Sequence, residues 1–530
     1  MTKTEKSWSK KSPAGPWDYI VIGSGMGGMT SAALLAKLGH RVLVLEQHYV
    51  PGGFTHTFTR KGYRWDVGVH AVGEVTDRNM TGRLLTRLTD GNLKWASLGK
   101  TYEQFYYPDD FRIDFPDTRE QFRENLIAAF PDQAPAIDRY LEEIKEVAGA
   151  MKPYYLAKAL PNHLGSVGDM TLGRAAQKHL QRKTWDVIQE LTNDPKLQSV
   201  LTAQWGYYGS PPRRSSFAMQ ALVVRHFWHG AYYPIGGSQQ IANCLLKTVA
   251  DAGGWTRIYA DVEKILIRGG KAVGVRLNNG EEILGNKIIS AAGVLSTIKR
   301  MLPYEYRDED WAREISELAP APAHVCLHLG LKGDIRKADA SAANKWFYNT
   351  WNLDSESWDV SGDGPLKDAE ILYCSFPSLK DPMHDPGPEQ RHTAEVVTFV
   401  PWETFEPWQG RKWKKRGAEY DALKKRMEDK LLDQFLKRMP QLKPMVDYVE
   451  LSTPLSTDHF VRPVAGSIYG LEPTPKRFRD KWLRPNAPIK NLYFSGSEVS
   501  TVGVIGAMMG GVLAALAAEP VAAFRYLRQG

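Results

Sequence analysis

The chain has only three cysteines in 530 residues, Cys244, Cys326 and Cys374, and they lie far apart. That excludes a disulfide framework and points to a reducing compartment. Internal repeats and low-complexity tracts are absent, which sets solenoids aside. There is no Gly-x-Ser-x-Gly, no His-Glu-x-x-His and no P-loop, so three routes to hydrolysis or phosphoryl transfer lack their motif. The first 16 residues, MTKTEKSWSKKSPAGP, are basic and carry no apolar stretch. They are expected to be a disordered arm at 1–16, neither signal peptide nor anchor, in a protein of the cytoplasm. Long uncharged runs are missing too, with one exception, VGVIGAMMGGVLAALAA at 502–518. Its length sits at the lower edge of a bilayer span, and its Gly506-x-x-x-Gly510 spacing also suits paired membrane helices.

What is present reads as a globular protein. Hydrophobic residues make up 43% and charged residues 24%, near soluble averages, and the length implies two or more domains. Lys and Arg exceed Asp and Glu by 68 to 60, for a net charge of +8. So mild an excess fits an anionic ligand or a membrane surface, and no nucleic-acid partner is expected. The basic run KWKKR at 412–416 is followed by acidic residues at helical spacing, the pattern of a solvated helix face.

Residues 18–23 read as a buried strand, 27–38 as an apolar helix ended by Gly39, and 41–46 as a second strand. Between the first two lies Gly23-Ser24-Gly25-Met26-Gly27-Gly28. Gly23 allows the tight turn, Gly25 lets a pyrophosphate approach backbone N–H groups at a helix N-terminus, and Gly28 lets helix and strand pack closely. Glu46 follows at the usual distance of about 20 residues, where a carboxylate accepts from a ribose. A dinucleotide site follows, for NAD or FAD; a further glycine turn at Pro51-Gly52-Gly53 favours FAD. Residues 76–230 read as helical, 258–289 as strands with Gly-Gly and Asn-Asn-Gly turns, and 301–484 as mixed. No second Gly-x-Gly-x-x-Gly stands in such a setting, so no separate nicotinamide domain is expected and the electron donor or acceptor is unidentified.

The combination VIGSGMGG, VLVLEQH, GGFTHTF and GYRWDVGVHAVGE resembles the phytoene-desaturase-like flavoproteins, which include carotenoid desaturases, carotenoid isomerases and retinol saturases. YYPIGGSQQIA, FPSLKDP, GSIYGLEPTPKRF and NLYFSGSEVSTVGVIGAMMGG bring it nearest the retinol saturase branch. The resemblance implies an α/β fold: a discontinuous Rossmann-like FAD domain from 17–75, 231–300 and 485–530, with an inserted α+β substrate domain from 76–230 and 301–484. It implies that Gly23, Ser24, Gly25, Gly27 and Gly28 hold the FAD pyrophosphate and that Glu46 and Gln47 meet the adenosine ribose. Gly53, Phe54 and Thr55 would line the phosphates, Val262 would meet adenine through its backbone, and Gly496 with Glu498 would meet the ribityl chain. Two departures stand out: Phe54 replaces a frequent arginine, and Gly496-Ser497-Glu498 replaces Gly-Gln-Asp. The expected substrate is a polyene or isoprenoid whose double bond is saturated, with carotenoid desaturation or cis-trans isomerisation as the alternative. A non-catalytic prenyl-lipid carrier resembling Rab GDP dissociation inhibitors is the rival from another class.

On this reading 502–518 is a helix whose N-terminus, through Val504 and Ile505, offers N–H groups and the positive dipole end to the flavin ring. Its glycines, each costing a helix about 1 kcal/mol relative to Ala, imply that something packs closely against them. His70, Glu74 and Tyr233 are the candidate proton donors or pocket residues. His56 is expected in a structural role. His324, Cys326 and His328 share one face of a strand, but no fourth ligand is evident, so they are read as sheet residues and no metal is expected. With 16 Trp, 23 Tyr and 18 Phe, an apolar channel is affordable, and the aromatics of 151–165 and 204–216 are expected to touch a membrane surface.

Overall fold

Six parallel strands form the first sheet, in the order Trp8–Ser9, Trp255–Arg257, Val42–Leu45, Tyr19–Ile22, Lys287–Ser290 and Leu492–Phe494. The computed structural model describes residues 7–160, 168, 171, 173–352, 357–362 and 364–529. The two central strands Tyr19–Ile22 and Val42–Leu45 are buried along their whole length, because layers cover both faces. Their side chains alternate between those layers. Tyr19, Val21, Val42 and Val44 join the core under the helices Met26–Lys37, Gln239–Asp251 and Gly503–Ala518. Ile20, Ile22, Leu43 and Leu45 face the antiparallel sheet Val262–Arg268, Lys271–Leu277 and Glu282–Leu284. This is a Rossmann-like α/β layer assembled from separate pieces of the chain.

The second sheet has seven strands, in the order Val446–Ser452, Ala323–Lys332, Arg391–Val400, Ile371–Ser375, Asn344–Tyr348, Thr101–Tyr106 and Arg112–Pro116. All neighbours are antiparallel except Asn344–Tyr348 with Thr101–Tyr106. One core cluster joins this sheet to the helices Ala134–Ala159 and Phe217–His226, giving an α+β half.

Several expectations are corrected. Trp8–Ser9 is an edge strand, so residues 7–16 are not a disordered arm; the Trp255 indole donates to Ser9 Oγ at 3.3 Å and to the Lys11 carbonyl at 3.1 Å. Residues 1–6 lie outside the described residues. The stretch 76–230 is not wholly helical, since Trp95–Ser97, Thr101–Tyr106 and Arg112–Pro116 are strands. The basic run 412–416 precedes the helix Ala418–Arg438 and lies off its face; Arg416 is buried over the rings of Trp413 and Tyr420. The aromatics of 204–216 are core, with Trp205 and Tyr208 buried, so they meet no membrane; of 151–165, residues 161–165 lie outside the described residues. No helix among the described residues is long and apolar enough to cross a membrane.

The glycines of Gly503–Ala518 explain that helix. A Cβ on Gly510 would lie 2.0 Å from the Gly496 carbonyl oxygen, and one on Gly511 would lie 2.4 Å from that of Gly27. Gly27 itself would strike the Gly496 Cα at 2.6 Å. Two helices and the turn after the last strand therefore touch backbone to backbone. The close partner that the glycines implied is the protein's own backbone. Gly510→Ala is expected to lower stability by about 1–3 kcal/mol. Gly149→Ala, in a helix with open space around its Cα, should raise it by up to about 1 kcal/mol. Thermal melts of both variants against the parent check the contrast.

Candidate active site

The strand Tyr19–Ile22 ends in Gly23 at φ +91°, and the helix Met26–Lys37 opens three residues later. A cleft of about 290 Å³ lies over this turn. Gly23, Ser24, Gly25 and Gly27 line it from the loop, Glu46 and Gln47 from the second strand, Gly53, Phe54 and Thr55 from the next turn. Val262, Gly496, Glu498 and Val504 complete the wall, while Ile505 lines only the neighbouring cavity. Gly28 stays behind the loop, where a Cβ would lie 2.1 Å from the Gly23 carbonyl oxygen. By contrast, a Cβ on Gly25, Gly496 or Gly503 would meet nothing within 4 Å. The cleft is thus walled by bare backbone, a cradle that side chains would fill and that suits a pyrophosphate and its ribityl extension.

Two carboxylates brace this cradle. Glu46 accepts from Ser24 N at 3.0 Å and Ser24 Oγ at 2.6 Å through one oxygen, and from His48 N at 2.8 Å through the other. About four acceptor positions exist on a carboxylate, so little is left over for a ribose. Glu498 accepts from Val294 N at 2.5 Å and Leu295 N at 3.2 Å, capping a short helix while it lines the cleft. Burial pushes its pKa up, and the backbone donors and Arg477 oppose that. His56 is buried with Nδ1 against the Gly53 carbonyl at 2.6 Å, and burial lowers its pKa to about 4.

A second cavity, of about 540 Å³, adjoins the cleft. Gly68, Ile468, Tyr469, Gly503 and Val504 line both, so the N-terminus of Gly503–Ala518 sits where they meet. The walls are mainly apolar, with Met151, Leu222, Val223, Ile371, Val397 and Met509 among them. Arg78, Arg83, Lys152 and Arg225 also line it, against one carboxylate, Glu74.

The three catalytic candidates separate here. His70 lines the cavity, its Nδ1 3.2 Å from Glu395 Oε2 and its ring edge-on to Tyr373 at 5.2 Å. Glu74 lines it too, but pairs with Arg225 at 3.7 Å and His226 Nδ1 at 3.5 Å. Burial works to raise its pKa, yet these partners outweigh it and hold the carboxyl below its ordinary range. It therefore carries no proton near neutrality and is a poor acid. Tyr233 lines neither cavity; it is buried with its hydroxyl on Asp66, a site that aromatic packing, not substrate, fills.

Sequence reasoning missed what surrounds His70. His324, Cys326 and His328 are all buried on the strand Ala323–Lys332. The sheet register brings Glu395 opposite His328, so donor atoms of Cys326, His328 and Glu395 lie within 4.8 Å of one another. Burial holds the thiol far on its protonated side, and the carboxylate lies against two imidazoles, His70 and His328. Lys380 is buried and donates to the His70 carbonyl at 2.7 Å, to Ser375 Oγ at 2.7 Å and to Asn344; burial lowers its pKa to about 8. Glu103 nearby, bonded by Asn344, Tyr207 and Trp346, is raised by burial to about 7. A lone Glu within the apolar strand RHTAEVVTFV was the available signal.

A dinucleotide cradle opening at a helix N-terminus onto an apolar cavity is the arrangement of an FAD-dependent oxidoreductase. The chain belongs to the flavin containing amine oxidoreductase family, whose profile matches residues 26–518. All-trans-retinol 13,14-reductase of Danio rerio is 32% identical over 514 residues, 93% of this chain and 84% of that protein. Prolycopene isomerase 1, chloroplastic, of an Oncidium hybrid cultivar is 28% identical over 522 residues, 96% of this chain and 84% of that one. The solved oxidoreductase of Methanosarcina mazei shares the fold with a TM-score of 0.61 at 15% identity, covering 93% of this chain and 98% of that one.

His324 lines the cavity and burial, with the neighbouring His328 and His70, lowers its pKa to about 4. Unfolded, it titrates near about 6.5, so below that pH the unfolded state binds the extra proton. Its stabilising contribution is whole above about 6.5 and is lost as pH falls through 4. Melting temperatures between those limits should fall more steeply in the parent than in His324→Gln, and parallel curves would contradict the assignment.

Proposed function

We propose that this protein reduces a carbon–carbon double bond in a retinoid or related isoprenoid, as an enzyme of the retinol saturase type. The observation that carries this is the meeting of cradle and apolar cavity at Gly503 and Val504, with His70 lining the cavity side. The name of the Danio rerio relative supplies the substrate class. The family name does not: Arg78, Arg83, Lys152 and Arg225 outnumber Glu74 in the cavity and would repel a protonated amine.

The proposed cofactor contacts follow the cleft. Gly23, Ser24, Gly25 and Gly27 take the pyrophosphate with Gly53 and Thr55, Val262 the adenine, Gly496 the ribityl chain, and the Val504 and Ile505 amides the flavin edge where negative charge collects. Gly28 serves by packing, and Glu46 and Glu498 act chiefly by holding the loops that carry these amides. The domain division proposed is 17–75, 231–300 and 485–530 for FAD, with 76–230 and 301–484 around the substrate.

Bound FAD supplies hydride chemistry at its ring. The chain holds the polyene in the apolar cavity, keeps water from it, and delivers a proton from His70 to the carbon that does not take the hydride. The isomerase relative favours a second reading, cis-trans isomerisation without net redox change, which consumes no electrons. An intact glycine cradle argues against a flavin-free lipid carrier.

Anaerobic reduction of the purified holoenzyme, followed by addition of retinol, carotenoids and unsaturated lipids in turn, tests the proposal. A retinoid should reoxidise the flavin and emerge saturated; reoxidation by none of them would sink it. His70→Asn should slow that step by about 100-fold or more while FAD content is unchanged, and Glu74→Gln should leave it within a few fold.

A further inference from the structure

One buried carboxylate has no part in the chemistry above. Glu395 is 1% exposed on the strand Arg391–Val400, in the middle of the seven-stranded sheet. The register sets it opposite His328 on one side and Ser375 on the other. Its Oε1 lies 3.5 Å from His328 Nδ1 and its Oε2 lies 3.2 Å from His70 Nδ1. Both contacts are ion-pair contacts, out of line for a strict hydrogen bond. Lys380, Asp66, Cys326, Tyr373 and Tyr233 also feel its charge. Burial would raise the pKa of Glu395, but His328 and His70 outweigh it and bring it down to about 2, so it is ionised throughout the physiological range.

A carboxylate stripped of water costs several kcal/mol unless partners answer it, and an apolar residue would fill a sheet position more cheaply. The partners here form one oriented set. His328 is fixed by Nε2 on Ser452 Oγ at 3.0 Å. Lys380 holds the His70 carbonyl from below, and Tyr373 flanks its ring. With Nδ1 lying 3.2 Å from Glu395, Nε2 is the nitrogen of His70 left for the cavity.

We propose that Glu395 is the positioning residue for His70: its carboxylate receives Nδ1–H, which fixes the ring and presents Nε2–H to the substrate. The assignment rests on His70 as the proton donor. In the step itself the π bond breaks and two C–H bonds form, one from the hydride of the reduced flavin and one from Nε2–H. The electron pair of the N–H bond stays on Nε2. The imidazolium becomes neutral imidazole with Nδ1–H still on Glu395, the alkene is reduced, and the flavin is oxidised.

Two measurements test this. In the single-turnover reoxidation assay, Glu395→Gln should slow the step by about 100-fold or more with substrate affinity and FAD content unchanged, and Glu395→Asp should recover part of the rate. Because Glu395 acts through His70, the double variant with His70→Asn should be no slower than His70→Asn alone. A double variant slowed by the product of the two single effects, or Glu395→Gln at the parent rate, would overturn the proposal. The second readout needs no substrate. Nitrogen-15 NMR of histidine-labelled, oxidised holoenzyme, with His70 assigned through His70→Asn, should show Nδ1–H in the parent and its depletion in Glu395→Gln. The same tautomer in both would overturn the proposal even where no polyene reoxidises the flavin.

Discussion

Everything in the site depends on three backbones in contact. Gly27 at the start of the first helix, Gly496 after the last strand, and Gly510 with Gly511 in the C-terminal helix exclude one another's side chains. That contact is not a matter of affinity alone, since a single methyl on Gly27, Gly510 or Gly511 needs backbone to move. It locks the direction of Gly503–Ala518, whose N-terminus then stands at the boundary between cleft and cavity. A helix end contributes partial positive charge only within its first turn, so an error in that direction would leave the dipole aimed at protein.

The second constraint is electrostatic. Around His70 and His324, which line the cavity, Glu395, Glu103, Asp66, Lys380 and His328 are all buried. Such a set is tolerable only if each charge is answered, and the sheet supplies the answers by register: His328 opposite Glu395, Asn344 opposite Glu103. Burial, only partly offset by these partners, pushes individual groups from their ordinary values in opposite directions, Glu103 up to about 7 and Lys380 down to about 8. Displaced pairs of this kind cluster where proton transfer is done.

What could be read from the sequence was local. The strand, glycine loop, helix and Glu46 lie within one short stretch, and each residue type has a reason that needs no distant partner. The discontinuous α/β layer was expected from the family resemblance, not from that unit alone. The strands at 95–116 were hidden because their polar and aromatic residues alternate without an apolar run, and because Trp95–Ser97 and Thr101–Tyr106 find partners far along the chain, Tyr232–Pro234 and Asn344–Tyr348. Trp8 was masked by the lysines around it. The environment of His70 was illegible for the same reason: sheet pairing sets Glu395 beside His328, and Lys380 comes from the short helix Pro377–Lys380, both far along the chain. Glu46 and Glu498 were found as acids, but the hydrogen bonds that make them braces for loops belong to tertiary structure. The glycines of 502–518 were rightly taken as marks of close packing, and their principal partner was the protein's own backbone.

On the proposed function, cavity and cradle form one site with the flavin ring at their junction. The most direct measurement is a difference-absorbance titration of the oxidised holoenzyme with a retinoid. One equivalent bound beside the ring should perturb the flavin bands, and Ile505→Trp, which narrows the cavity behind the helix N-terminus, should abolish the perturbation while FAD stays bound. A retinoid that binds tightly and leaves the flavin spectrum untouched would contradict the account.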